Sequence, residues 1–335
     1  MLALNAALVL TAVLAAQAPG DSAAALYRAW CGACHGADGR GRAARQTRLE
    51  VTPASLADCR VSSAETEDRW VGVTGKGGAA FGLSLDMPAF GEAATDAQLR
   101  AVVRSIRSLC GERGWPPGEL NFPRPFLAEK AFPENEVVIT AHGPGQAFIF
   151  EHRVGPRLQV EGSVTTVFDS LHRPFEGVTG GLKYNLWHSF ERRALASLGI
   201  EAAPPLGRRD LWEVEPFLAV GANPGRALLV QGEVFGTWEE TEGITGWSYR
   251  IGLGRELGGG RFVPMLEVGG TEPRRGKGER TLSVVPQVWV QLSRLGHVAA
   301  SLGVELPAVG PEPRHPRVTA FVLWDYGDGG LFRGW

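Results

Sequence analysis

From Asn135 to Tyr326 apolar side chains recur at every second position in long runs, and this pattern restricts the fold of the 335-residue chain more than any other feature. In "RLQVEGSVTTVF" Leu158, Val160, Gly162 and Val164 alternate with Arg157, Gln159, Glu161, Ser163 and Thr165. "LSVVPQVWVQLS" sets Leu282, Val284, Val288, Val290 and Leu292 opposite Gln287 and Gln291, and "GWSYRIGLGRE" sets Trp247, Tyr249, Ile251 and Leu253 against Ser248, Arg250 and Glu256. "HVAASLGVEL" places Val298, Ala300, Leu302, Val304 and Leu306 against His297, Ser301, Gly303 and Glu305. A period of two belongs to a strand with one apolar and one polar face. Soluble strands run to ~5–6 residues, whereas a tilted strand that crosses a bilayer needs ~9–11.

About twelve such strands can be placed, near 136–142, 146–153, 157–169, 177–189, 192–203, 211–222, 225–239, 245–256, 261–271, 281–294, 296–306 and 316–326. After the first hairpin the connections alternate between short ones ("VGP", "NPG", "LGGG", "LG") and longer polar ones ("SLHRPFE", "PPLGRRD", "TEPRRGKGE", "PAVGPEPRH"). Tight turns at one rim and longer loops at the other are the plan of an outer-membrane barrel, and an even strand count returns both ends to the tight-turn rim. The expected fold of residues 135–335 is therefore an antiparallel, up-and-down transmembrane β-barrel of about 12 strands, with outer-membrane lipid as a partner. Trp212, Trp238, Trp247 and Tyr326 suit a membrane interface, and the aromatic end "LFRGW" is compatible with it. A secreted β-sandwich or soluble barrel alternates in the same way. Periodicity alone does not say which face points inward.

The first third reads differently. Residues 1–18, "MLALNAALVLTAVLAAQA", hold an apolar run too short to span a bilayer and of the length of a secretory signal. Export brings the chain into an oxidising compartment. Residues 21–110 are Ala-rich, and "TDAQLRAVVRSIRSLC" opens on a Thr95-x-x-Gln98 capping box with Leu99, Val102, Val103, Ile106 and Leu109 on one helical face. Residues 111–134 carry five prolines and no sustained period, which predicts an extended linker. A net charge of −2 offers no basic field for nucleic acid.

Within the Ala-rich region, "AWCGACHGADGRG" contains Cys31-x-x-Cys34-His35. This is the attachment signature of c-type haem: two thiols add across the vinyl groups and the adjoining imidazole ligates the iron. A thioredoxin-type site would need a βαβ context, and a zinc site a second ligand pair nearby. His35 is the only histidine before residue 142, so the second axial ligand is sought among the methionines. Met1 leaves with the signal and Met265 lies in the β half, which leaves Met87, in "DMPAFG". One covalently attached haem c, held by Cys31, Cys34, His35 and Met87, is the expected cofactor. Ligation by His and Met saturates the iron and suits it to electron transfer. The remaining cysteines, Cys59 and Cys110, form an even pair in an oxidising compartment and are expected to be bridged.

By these residues, with Tyr27 and Trp30 in a first helix and Pro88 and Phe90 after Met87, residues 21–110 resemble a class I, monohaem cytochrome c. The resemblance implies a small all-α domain that shuttles single electrons. The β half resembles small outer-membrane channels, including the family associated with phenol-degradation gene clusters, in pattern and in no residue-specific motif. The two-domain arrangement resembles cytochrome-porin fusions, with a shorter β part. The leading expectation is an electron carrier in the outer membrane of a Gram-negative bacterium. Its haem domain would be periplasmic and would carry single electrons between periplasmic or extracellular donors and acceptors, a redox partner protein or a small redox molecule. The alternative is a channel for small or apolar solutes in which the cytochrome is a redox sensor or plug. A haem peroxidase is the third reading, and Met87 would then have to leave the iron. No catalytic residue is assigned.

Overall fold

The computed structural model describes residues 22–168, 174–276, 278–293, 296–311 and 315–327. The expected signal at 1–18 and the aromatic end "LFRGW" lie outside the described residues.

The N-terminal region is helical. Ser22 caps α1 (Ala23–Trp30), which runs into α2 (Gly32–His35). Short helices α3 (Ala44–Thr47) and α4 (Cys59–Ser62) follow, then α5 (Glu67–Lys76) and α6 (Asp96–Arg107). Thr95 and Gln98 close the capping box at the start of α6 through reciprocal hydrogen bonds. The apolar face of α6 buries Val102 and Ile106 against Leu26, Tyr27 and Leu56, and Leu99 and Val103 against Val71. Among the described residues α3, which buries no side chain, and α4 and α5 are not announced by the apolar pattern. α4 and α5 are set by their caps: Asp58 accepts from the Arg60 amide, and Thr66 accepts from the Arg69 amide ahead of Glu67 and Asp68.

Beyond Asn135 twelve antiparallel strands close on themselves: β1 (Glu136–His142), β2 (Gly145–Val154), β3 (Leu158–Val167), β4 (Phe175–Ser189), β5 (Ala194–Ala203), β6 (Glu213–Ala222), β7 (Leu228–Glu239), β8 (Gly243–Arg255), β9 (Phe262–Pro273), β10 (Thr281–Gln291), β11 (Val298–Val309) and β12 (Arg317–Asp325). Each pairs with its neighbours in sequence, and β1 pairs with β12 from Glu136↔Asp325 to His142↔Thr319. The sheet has no free edge. Burial then settles which face is inward. Gln159, Lys183 and Glu267 are 0% exposed, while Leu302 is 62% and Trp247 58% exposed. A soluble sandwich or barrel would reverse these values. The outer surface here is mainly apolar, and the lumen holds polar side chains together with an apolar cluster in which Leu195, Phe217, Leu229, Val263 and Met265 pack with Leu120 and Phe122.

The segment read as a linker, 111–134, is extended as its prolines dictate, but most of it from Leu120 onward is buried within the barrel. Its backbone has no strand partners, so lumen side chains satisfy it. Glu267 accepts from the amides of Phe126 (2.6 Å), Leu127 (2.9 Å) and Ala128 (3.2 Å). Gln231 donates to Pro123 O, Arg250 to Leu127 O, Lys183 to Lys130 O and Ser197 to Ala131 O. Its own charges are paired as well: Arg124 with Glu151 and Glu136, Lys130 with Glu136, and Glu129 with Lys183 at 2.7 Å. Removing one member of such a buried set costs about 3–5 kcal/mol, because the partner is left as an isolated charge.

The chain enters and leaves the barrel at one rim, where Glu136 and Asp325 lie side by side. The β2–β3, β4–β5, β6–β7, β8–β9 and β10–β11 turns share that rim with the helical domain. Arg193, in the β4–β5 turn, reaches Asp68 of α5 at 3.9 Å, and Ser63 donates to Pro116 O at 2.6 Å.

Candidate functional site

The helical domain surrounds a cavity of about 590 Å³ lined by Trp30, Cys31, Cys34, His35, Met87 and Phe90, among others. That volume falls in the ~300–1,000 Å³ range of cofactor pockets. The four residues singled out from the sequence as iron and haem ligands thus meet in one space.

Local backbone constraints place each of them. α1 ends at Cys31, whose amide donates to Tyr27 O, and the one-turn α2 carries Cys34 and His35 to the same side. The Tyr27 hydroxyl donates to Gly36 O at 2.8 Å and holds the exit of that turn. Gly41, at φ +78°, lets the following loop approach residues 53–54 so closely that a Cβ would stand 2.4 Å from Pro53 O. This brings Ala54 O to 3.0 Å from His35 Nδ1. A carbonyl only accepts, so Nδ1 holds the proton and Nε2 is the nitrogen left to ligate a metal.

Met87 is held by a second close approach. Its carbonyl accepts from the Gly78 amide at 3.0 Å and its amide donates to Ser84 O at 3.2 Å. Phe90 and Gly91 donate to Thr74 O and Gly75 O, which ties the Met87 loop to α5. Phe90 then stacks on Trp30 at 5.0 Å and 13°. The thioether loop and the CxxCH turn are locked to each other through one aromatic pair.

The chemistry of the donor set fits haem c. Cys31 and Cys34 are free thiols, and burial, then the neighbouring Cys34, pushes Cys31 up to about 11. Dithiol oxidoreductases need the opposite, a depressed thiolate. The cavity is walled mainly by apolar and aromatic side chains, with the imidazoles of His35 and His297 and the Met87 thioether among its lining. A zinc site would draw its donors together, whereas among the described residues Cys31, Cys34, His35 and His297 do not bring three ligand atoms within 4.8 Å of one another.

Cys59 and Cys110 are joined, with Cα atoms 4.9 Å apart. Cys59 opens α4, and Cys110 lies three residues past α6, so the bridge fastens the cavity wall to the point where the chain leaves for the barrel. The cavity also has a member that the sequence did not suggest: His297, immediately before β11. The elimination of histidines applied only to the helical domain, and nothing in the local pattern around His297 distinguishes it from an ordinary turn residue.

A family model described as cytochrome c oxidase, cbb3-type, subunit III, matches residues 18–104. No curated protein matches the chain. Among solved structures, the KdgM porin is 11% identical, covering 57% of this chain and 98% of its own, at a TM-score of 0.45. An outer membrane channel from Pseudomonas putida F1 is 8% identical, covering 61% and 99%, at 0.45, and the NanC porin is 6% identical, covering 56% and 97%, at 0.42. The closure of the barrel and its outward apolar face rest on its own register and burial. The chain combines a cytochrome c domain with a closed twelve-stranded barrel.

Proposed function

We propose that this protein is an outer-membrane-anchored c-type cytochrome that carries single electrons between periplasmic donors and acceptors. The observation that carries the reading is the convergence of Cys31, Cys34, His35 and Met87 on one cavity at the tight-turn rim of the barrel. Haem, when bound, supplies a one-electron couple. Cys31 and Cys34 would tether it, His35 Nε2 and the Met87 thioether would ligate its iron, and Trp30, Phe90, Leu56 and Ile106 would keep water from it. With two protein ligands the iron would have no position open to a substrate.

The barrel supplies the anchor. Its outer surface is apolar, with Ile139, Leu182, Leu198, Ile251, Leu266 and Val322 all exposed, as contact with lipid requires. Residues 120–134 fill its lumen, which weighs against a permanently open solute channel. The lumen would have to release that segment before the channel reading applied. The single site lies at one rim, and the hydrocarbon to be crossed is ~30 Å thick. Exchange with partners on the periplasmic rim is therefore favoured over conduction across the membrane.

A redox reagent too large to pass the outer membrane tests this placement. Added to intact cells, it should leave the haem spectrum unchanged, and after permeabilisation of the outer membrane it should oxidise or reduce the haem fully. Full response in intact cells would put electron exchange on the outer face and overturn the periplasmic assignment.

A further inference from the structure

The haem cavity is not walled by the helical domain alone. His297, from the β10–β11 turn, and Gly327, just past β12, close it from the barrel side. His297 is 3% exposed, and its Nδ1 is buried without a hydrogen-bond partner. Native proteins rarely leave such an atom unpaired, because nothing compensates its loss of water.

The surroundings of His297 specify what would pair with it. Arg69 reaches the same turn, its Nη1 3.9 Å from where a Cβ on Gly296 would stand. The guanidinium lies over the Phe81 ring at 5.1 Å and 3.8 Å from Glu65 Oε1. Burial, then the charge of Arg69, holds the His297 imidazole down to about 4, so it is neutral and can donate one hydrogen bond. Haem carries two carboxylates in addition to its iron, and burying an anion demands donors. His35 and Met87 are committed to the iron, the cavity's own acids, Glu65 and Asp86, repel an anion, and its other cation, Arg60, is exposed to solvent. Arg69 and His297 are cation and donor side by side.

We propose that His297 and Arg69 together bind a haem carboxylate, so that the barrel itself contributes a cofactor-binding residue. This rests on the haem reading above. It means that the carboxylate edge of the haem is turned toward the barrel rim and that loading the haem reinforces the docking of the two domains. The β10–β11 turn then has a task beyond closing a hairpin: it completes the pocket from a distant part of the chain.

The test uses full-length protein and compares His297→Ala with His297→Gln. Covalent haem content, the resonance Raman band of haem carboxylate bending and the midpoint potential are read on each. His297→Ala should retain its haem but shift the carboxylate band and lower the midpoint, because a less compensated anion near the iron favours the ferric state. His297→Gln, whose amide donates in place of the imidazole, should restore both toward the parent. A His297→Ala protein with intact haem and both readouts unchanged would overturn the proposal. So would a bis-imidazole spectrum in the parent that disappears in His297→Ala, since His297 would then be on the iron. Absence of covalent haem from the parent would overturn the haem reading itself.

Discussion

Met87 depends on two neighbouring backbone groups as much as on its own sulfur. Its carbonyl is fixed by the Gly78 amide, and a Cβ at Gly78 would stand 2.3 Å from Ser84 O and 2.9 Å from Met87 Cβ. Met87→Ala should abolish the weak sulfur-to-iron charge-transfer band of the oxidised protein and lower the midpoint potential, since a thioether favours the ferrous state. An unchanged spectrum would exclude Met87 as the distal ligand. At this scale the shared place of Cys31, Cys34 and His35 in one cavity was legible because the three stand in one contiguous stretch. Met87, reached by elimination among three methionines, lines the same cavity. His297 was not, because it reaches the cavity through the tertiary docking of a barrel turn, which leaves no local pattern.

Each element combines legible and illegible parts. The α6 stripe and its capping box are visible as spacing, whereas α5 lacks a continuous apolar stripe and is marked only by Thr66, Glu67 and Asp68 at its start and Lys76 and Gly77 at its end. The bridge that follows α6 closes a span of 51 residues, worth roughly 4 kcal/mol in the chain-entropy model. Cys110→Ser should therefore leave covalent haem content unchanged and lower the temperature at which the charge-transfer band melts. Two reactive thiols per chain in the unfolded, unreduced parent would remove the basis of this expectation. The 111–134 segment shows why composition misleads. Its prolines correctly forbid helix and strand, but nothing in them says that Glu267, more than a hundred residues on, supplies the acceptors its amides need. Glu267→Ala would orphan the buried Ala128 N–H, at roughly 1–3 kcal/mol, and the half-buried N–H groups of Phe126 and Leu127. In planar bilayers the parent should be closed and Glu267→Ala should show intermittent conductance; steady conductance by the parent would mean that the segment does not fill the lumen in the membrane.

For the whole molecule, alternation gave the strands and their number, and the loop lengths gave the rim at which the chain enters and leaves. The direction of the faces was beyond periodicity, because an inward and an outward apolar face have the same period of two; the buried Gln159, Lys183 and Glu267 beside the exposed Leu302 and Trp247 settle it. A closed, fully paired barrel should resist detergent, so unheated and boiled samples should migrate differently on a gel. Migration independent of heating would argue against closure. The central claim is that this membrane barrel carries one electron-transferring haem. It is tested most directly by spectroelectrochemical titration of full-length protein extracted from outer membranes. The account predicts a haem signal of one per chain that follows a single one-electron wave, about 59 mV per tenfold change in the ratio of oxidised to reduced protein. Extracted protein without a reducible haem signal, or with a two-electron wave of the kind a Cys31–Cys34 dithiol would give, would contradict it.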